Sequence, residues 1–257
     1  MASSSGLPVA LLIIYLTLSL PTIYIAIKHG LKHGVIIGWF FLFIFCTLKI
    51  VSSALELKDA TSSGAALVSS IGLSPLLAAI CGTLHESRVH LLPKSRRPFD
   101  KQYLILFHIL VSTAIALVAS GASKLSNTTI PPEQMKKNLG LVKGGMVLLL
   151  LSWISLAIIT LATFQHALSQ GSEKLAAVGG GKKLLLAVAF SIPFLGIRVL
   201  ESMIYFFTQN PLLNPVSGSV GLRVGLQIIE EIIVALSLIT AGILTRNIDA
   251  TAQVDRH

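Results

Sequence analysis

Charge is scarce in this sequence: Asp, Glu, Lys and Arg make up 12% of its 257 residues, roughly half the ~25% of an ordinary soluble domain. That is too little to solvate the outside of a soluble globule of this length. Cysteine is scarcer still. Cys46 and Cys81 both fall inside apolar runs at different predicted depths, which excludes a disulfide framework and leaves packing as their role. Met1 to Pro8 carries no lysine or arginine and no small-residue cleavage site follows, so the first apolar run is expected to stay as a span rather than be removed as a signal. No span holds the paired aspartates that would bind magnesium and diphosphate in a membrane prenyltransferase. An internal repeat of the transporter kind and any recognisable nucleic-acid module are also lacking.

What fills the chain instead is hydrocarbon. Residues are 53% hydrophobic and the mean hydropathy is +0.81. A window of ~19 residues finds seven apolar segments, roughly Leu7 to Ile27, Val35 to Leu57, Ser63 to Thr83, Tyr103 to Ala122, Leu141 to His166, Lys183 to Phe207 and Val220 to Thr245. Each is close to the ~20 residues a helix needs to cross the ~30 Å core. The runs are unbroken, unlike the ~10-residue alternating segments of a membrane barrel. The expected fold is all-α, a polytopic seven-transmembrane-helix bundle over residues 1–246 with a short tail at 247–257.

Basic residues set the expected orientation. The side of the amino terminus holds Lys58, Lys124, Lys136, Lys137 and Lys143; the side of the tail holds Lys28, Lys32, Arg88, Lys94, Arg96, Arg97, Lys101, Lys174, Lys182, Lys183, Arg246 and Arg256. The positive-inside rule places the amino terminus outside or lumenal and the carboxy terminus in the cytoplasm. Asn127-Thr128-Thr129 is a glycosylation acceptor in a loop expected outside, which agrees. The net charge of +9 follows from this bias, with anionic lipid as a further partner.

Several local patterns have plain readings. Lys28-His29-Gly30-Leu31-Lys32-His33-Gly34 puts two histidines four apart, but its glycines make a solvated basic turn rather than a metal pair. His85 to Lys101 is the most hydrophilic stretch and is expected as a loop. His108 is expected to bond a neighbouring helix. Ser69, Ser70, Gly72, Ser74 and Pro75 form a small-residue cluster suited to close packing, with a carbonyl freed by the proline. Gly179-Gly180-Gly181-Lys182-Lys183 lacks the spacing of a phosphate loop and reads as a connector.

The charges inside spans are the candidate site, since each costs ~2.5 kcal/mol or more to insert. Lys49, Ser52, Ser53 and Glu56 share one stripe of the second span. Arg198, Glu201 and Tyr205 follow one another along the sixth, and Arg223, Gln227 and Glu230 make a stripe of the seventh, with Glu231 at its edge. At ~1.5 Å per residue these positions fall in the outer half or at mid-depth, where one cavity can collect them. Three cations, Lys49, Arg198 and Arg223, face four acids, Glu56, Glu201, Glu230 and Glu231. Pairing leaves one carboxyl over, and a desolvated acid without a partner keeps its proton. Catalysis is expected from Glu230, Glu231 or Glu201, and ligand binding from Lys49, Glu56, Arg198, Arg223, Gln227 and Tyr205. No metal or cofactor is implied.

Gly38-Trp39, Lys49-Ile50, Ile71 to Leu77, Leu184 to Arg198 with Pro193-Phe194-Leu195, and Asn214-Pro215 through Gly218-Ser219 to Glu230-Glu231 resemble an uncharacterised fungal family of seven-span integral membrane proteins, known as a domain of unknown function. Some of its members lie in secondary-metabolite gene clusters. The resemblance implies a multi-pass protein of the endoplasmic reticulum, in a fungal natural-product pathway. There it would cyclise an apolar terpenoid or polyketide intermediate by acid catalysis, or assist a membrane-bound oxidase. Two other readings stay open, a seven-span receptor for an apolar ligand and a proton-coupled transporter. The receptor lacks a rhodopsin-type Asp/Glu-Arg-Tyr motif and an outer cysteine pair, and the transporter lacks a repeat.

Overall fold

The computed structural model describes residues 6–29, 36–59, 63–93, 95, 98–125, 131–168, 179–215 and 218–246. Among them are helices α1 (Gly6–His29), α2 (Ile36–Lys58), α3 (Ser63–Ile71), α4 (Leu73–Leu91), α5 (Asp100–Leu125), α6 (Pro132–Leu168), α7 (Gly179–Thr208), α8 (Val220–Arg223) and α9 (Ile229–Leu244), with a π-helical turn at Val224–Ile228 joining the last two. No strand occurs among the described residues. Among the described residues, seven helical segments are long and apolar enough to cross a membrane, α3 running on into α4 and α8 into α9. Pro21 and Pro193 sit inside α1 and α7 without ending them.

The third span is the axis of the bundle. Every residue from Leu73 to Ser87 is buried, and α4 packs on α2, α5, α6 and α7, while α1 lies against α2 and α9 and α7 against α6 and α9. Its centrality follows from its small residues. Gly38 of α2 and Gly82 of α4 bring two backbones into contact, for a Cβ on Gly82 would stand 2.4 Å from the Gly38 Cα. The small-residue cluster does what its chemistry predicts. Pro75 supplies no N–H to the Ile71 carbonyl one turn back, and the Ser74 hydroxyl donates to that carbonyl instead at 2.7 Å.

Three expectations fail at the ends of spans. Gly179 to Lys183 are no connector but the start of α7. The hydrophilic stretch from His85 is not a loop until after Leu91: α4 continues through it, and His85, Glu86 and Ser87 are buried. Polar side chains there face partners on other helices rather than water, so hydropathy alone ends the span too early. His29 likewise is no solvated turn residue but the buried last residue of α1. The second histidine of that pair, His33, lies outside the described residues, as does Asn127.

Candidate functional site

Four elements bring their charges to one depth. Counting ~1.5 Å per residue, Tyr15, Lys49, Arg198 and Glu231 all lie ~14–17 Å from the amino-terminal side of the bundle. Arg198 is 1% exposed. Its Nε donates to Glu231 Oε1 at 2.9 Å and its Nη1 to Glu201 Oε2 at 2.7 Å, with a further bond to Ser202 Oγ. Glu231, also 1% exposed, takes the Lys49 ammonium at 2.6 Å and the Tyr15 hydroxyl at 3.2 Å on its other oxygen. Gln227 donates to Glu201 Oε1 at 2.8 Å. Nearer the amino-terminal side, Arg223 Nη2 reaches both oxygens of Glu56, at 2.9 and 3.0 Å. A cavity of about 20 Å³ lies among Tyr15, Lys49, Ser53, Glu56, Arg223, Gln227 and Glu231, room for about one water molecule.

The predicted imbalance of charge has an address. Three cations pair with Glu56, Glu201 and Glu231, and the acid left over is Glu230: it is buried, and its Oε2 has no hydrogen-bond partner. Its neighbour's position corrects the expected stripe. A regular helix would put Glu230 on the stripe of Arg223 and Gln227 and Glu231 at the edge. The π-helical turn, in which Ile229 N–H bonds the Val224 carbonyl five residues back, takes up one extra residue. Arg223, Gln227 and Glu231 then share the inward face, and Glu230 turns toward the seam with α7.

That seam is an apolar groove. Leu186, Ala187 and Phe190 of α7 face Ile233, Leu236, Ser237, Thr240, Ala241 and Leu244 of α9 across a volume of about 480 Å³, with Lys183 at the tail-side end. Glu230 lies three residues before Ile233, about one turn beyond the far end of the groove. Tyr205 stays apart from the charge network: its hydroxyl accepts from Asn214 Nδ2 at 3.1 Å and pins the loop after α7.

A second polar knot, unforeseen in the sequence, closes the tail side. Glu86 of α4 is 0% exposed. One of its oxygens meets His29 Nδ1 at 2.5 Å, and the other accepts from Trp39 Nε1 at 3.0 Å. His29 Nε2 lies 3.0 Å from the Gly242 carbonyl. A carbonyl only accepts, so Nε2 is the nitrogen that donates to Gly242, and Nδ1 faces the carboxyl. Beside it, Arg88 donates to Asp100 Oδ1 at 3.0 and 2.7 Å and to Thr163 Oγ1 at 2.7 Å. Arg88 is therefore a paired residue rather than a free topogenic charge. The signal for this knot was present in Trp39 and Glu86, both costly to bury singly, but the loop reading of His85 to Lys101 hid it. His108 is the other departure: its Nδ1 lies 2.7 Å from Leu104 O in its own helix, and its ring rests on Phe41 of α2 at 5.0 Å.

Over residues 1–248 the sequence matches a family described as a domain of unknown function. No curated protein and no solved structure matches the chain.

Proposed function

The chain belongs to the DUF7702 family, a domain of unknown function, and we propose that it binds an apolar small molecule within the membrane and protonates it from Glu230. The proposed setting is a fungal secondary-metabolite pathway at the endoplasmic reticulum, with a terpenoid or polyketide intermediate as substrate. One observation carries the chemistry: among the described residues Glu230 is the buried acid with no ion-pair partner, and it lies about one turn beyond the end of an apolar groove. Glu231 and Glu201 are each held by cationic and neutral donors, so their oxygens are taken up by those bonds. Their role in this reading is to fix the helices around Glu230, together with Lys49, Arg198 and Gln227, while Glu56 and Arg223 close the amino-terminal end.

The reaction balances without a co-reactant. The Glu230 proton passes to a carbon–carbon double bond, a second double bond closes on the cation formed, and loss of an adjacent proton to the carboxylate restores the acid. The product is an isomer of the substrate. General acid catalysis of this kind contributes ~10²–10⁴-fold, so Glu230→Gln is expected to lower product formation by at least about a hundredfold while the protein still accumulates in membranes. Unchanged product from that variant sinks the acid. Product retained alongside co-purification with an oxidase would assign the chain to an accessory role in the same pathway.

A second reading, a seven-span sensor of an apolar ligand, draws support from the ion-pair network. It ties α1, α2, α7 and the seventh span through seven side chains, a unit able to shift as one when a ligand moves α9. Binding of a signalling partner to the tail side, lost with Arg198→Leu and kept with Glu230→Gln, distinguishes it.

A further inference from the structure

We propose that the polar cavity beside Lys49 is a water site, an inlet that opens on the amino-terminal side of the bundle and ends at mid-depth on the Lys49–Glu231 pair. It is independent of Glu230 and of the groove near that residue.

Depth and exposure trace the inlet. Pro215, in the loop that follows α7, and Glu56, near the end of α2, line its mouth, and Lys49 and Glu231 line its floor. From Glu56 down to Lys49 is ~10 Å along α2. Even so, the Lys49 side chain is 9% exposed, as much as that of Glu56 at the mouth, while no surface of the Glu231 side chain remains accessible. Accessible surface therefore continues down to Lys49 and stops there. What stops it is Phe45, one turn further along α2 and fully buried. The Lys49 ammonium lies over its ring at 5.9 Å, and the Tyr15 ring meets it edge to face at 5.6 Å. Leu42 and Trp39 of α2, also fully buried, continue the dry interior toward the tail side.

Size and charge select water. A volume of about 20 Å³ takes about one water molecule and no organic ligand. Two cations, Lys49 and Arg223, and two acids, Glu56 and Glu231, line it. Their formal charges cancel, so a neutral dipole is favoured over a free cation or anion. The ~2–4 polar partners that a buried water needs are in place. Of the Lys49 ammonium's N–H bonds, one goes to Glu231 at 2.6 Å and the others remain to donate. Ser53 and Ser52 donate their hydroxyl protons to the Lys49 and Ala65 carbonyls, which leaves both oxygens as acceptors. A charge at mid-depth is costly, and water on the remaining N–H bonds lowers that cost. Water exchanging at Lys49 also carries protons, so the Lys49–Glu231 pair is in contact with the solution on one side of the membrane alone.

The test uses the full chain in nanodiscs and a brief X-ray pulse that turns water into hydroxyl radicals, with modified residues read by mass spectrometry. Tyr15 and Trp39 are both fully buried, and an indole is the more reactive ring. Tyr15 is nevertheless expected to be hydroxylated and Trp39 to stay unmodified. When heavy-oxygen water is mixed in just before the pulse, the oxygen added to Tyr15 should be heavy. Ser53→Met, which fills the cavity, should bring Tyr15 down to the level of Trp39. Direction is read in sealed vesicles with silver ion, a thiol reagent small enough for the cavity, against the buried native cysteines Cys46 and Cys81. Leu212 and Arg246 are exposed at opposite ends of the bundle. Ser53→Cys should react from the side that reaches Leu212→Cys and not from the side that reaches Arg246→Cys. Tyr15 as protected as Trp39 in the unaltered protein overturns the water site, whatever the variants do. Tyr15 modified with light oxygen only, or Ser53→Cys reached by silver from neither side, means a sealed-in water and overturns the inlet. Silver arriving from the Arg246 side overturns its direction.

Discussion

Arg198 and Glu230 stand for the two fates of a charged residue in this bundle. Arg198 divides its guanidinium between two carboxylates and a hydroxyl, so removing it strands Glu231 and Glu201 in a dry interior. Arg198→Leu is expected to cost ~3–5 kcal/mol. Tyr15→Phe removes one hydrogen bond to a charged group and is expected to cost ~1.5–3 kcal/mol. Glu230→Gln gives up no partner and should leave stability within ~0.5 kcal/mol of the parent. Denaturant unfolding of the purified protein in detergent measures the order; a Glu230→Gln variant as unstable as Arg198→Leu would mean that Glu230 belongs to the network. The tail-side knot makes a parallel prediction. Glu86→Ala leaves His29 and Trp39 without their shared acceptor, and the expected loss is ~3–5 kcal/mol by the same measurement.

At the scale of elements, the seventh span shows how one local irregularity re-aims a site. Its charges are legible in the sequence, but their faces are not, because a regular 3.6-residue period assigns Glu230 inward and Glu231 to the edge. The π-helical turn reverses the two. Gly225 within that turn has open space around it, so deleting it removes one residue with little loss of packing. The deletion should turn the π-helical turn into regular helix, with Glu231 seven residues after Arg223 and still on the inward face. A double-mutant cycle between Lys49 and Glu231 is expected to show ~0.5–3 kcal/mol of coupling in the parent and the same in the deletion. Coupling lost in the deletion would show that the turn does not merely take up one residue. The third span makes the complementary point: its central place depends on the Gly38–Gly82 contact, a pairwise fact that neither helix announces alone.

For the whole molecule, seven long apolar helices fix a multi-pass membrane protein, and the distribution of lysine and arginine predicts which side faces the cytoplasm. With the amino terminus lumenal, Asn127 is expected to be glycosylated in a eukaryotic host. Glycosidase treatment should then increase the protein's mobility on a gel, and Asn127→Gln should abolish the shift. An unmodified Asn127, together with a protease-protected tail in sealed microsomes, would reverse the orientation. The polar knots sit at different depths of this bundle. The Arg198 network joins α1, α2, α7 and α9 near mid-depth, and the Glu86 knot joins α1, α2, α4 and α9 at their tail-side ends, so α1, α2 and α9 are tied twice.

The sequence by itself determined the number of spans, their order, the helical class and the presence of one acid more than the buried cations can pair. Those follow from hydropathy, length and counting, which are sums over residues near one another in the chain. Only the tertiary structure decided which acid is left over, that Lys49 and Tyr15 converge on Glu231, that Glu86 and His29 are interior, and that an apolar groove ends beside Glu230. Each of these depends on the rotation and depth of one helix against another. That geometry is set by glycine contacts and by the extra residue of a π-helical turn, and such side-by-side packing leaves no periodic trace in a linear sequence.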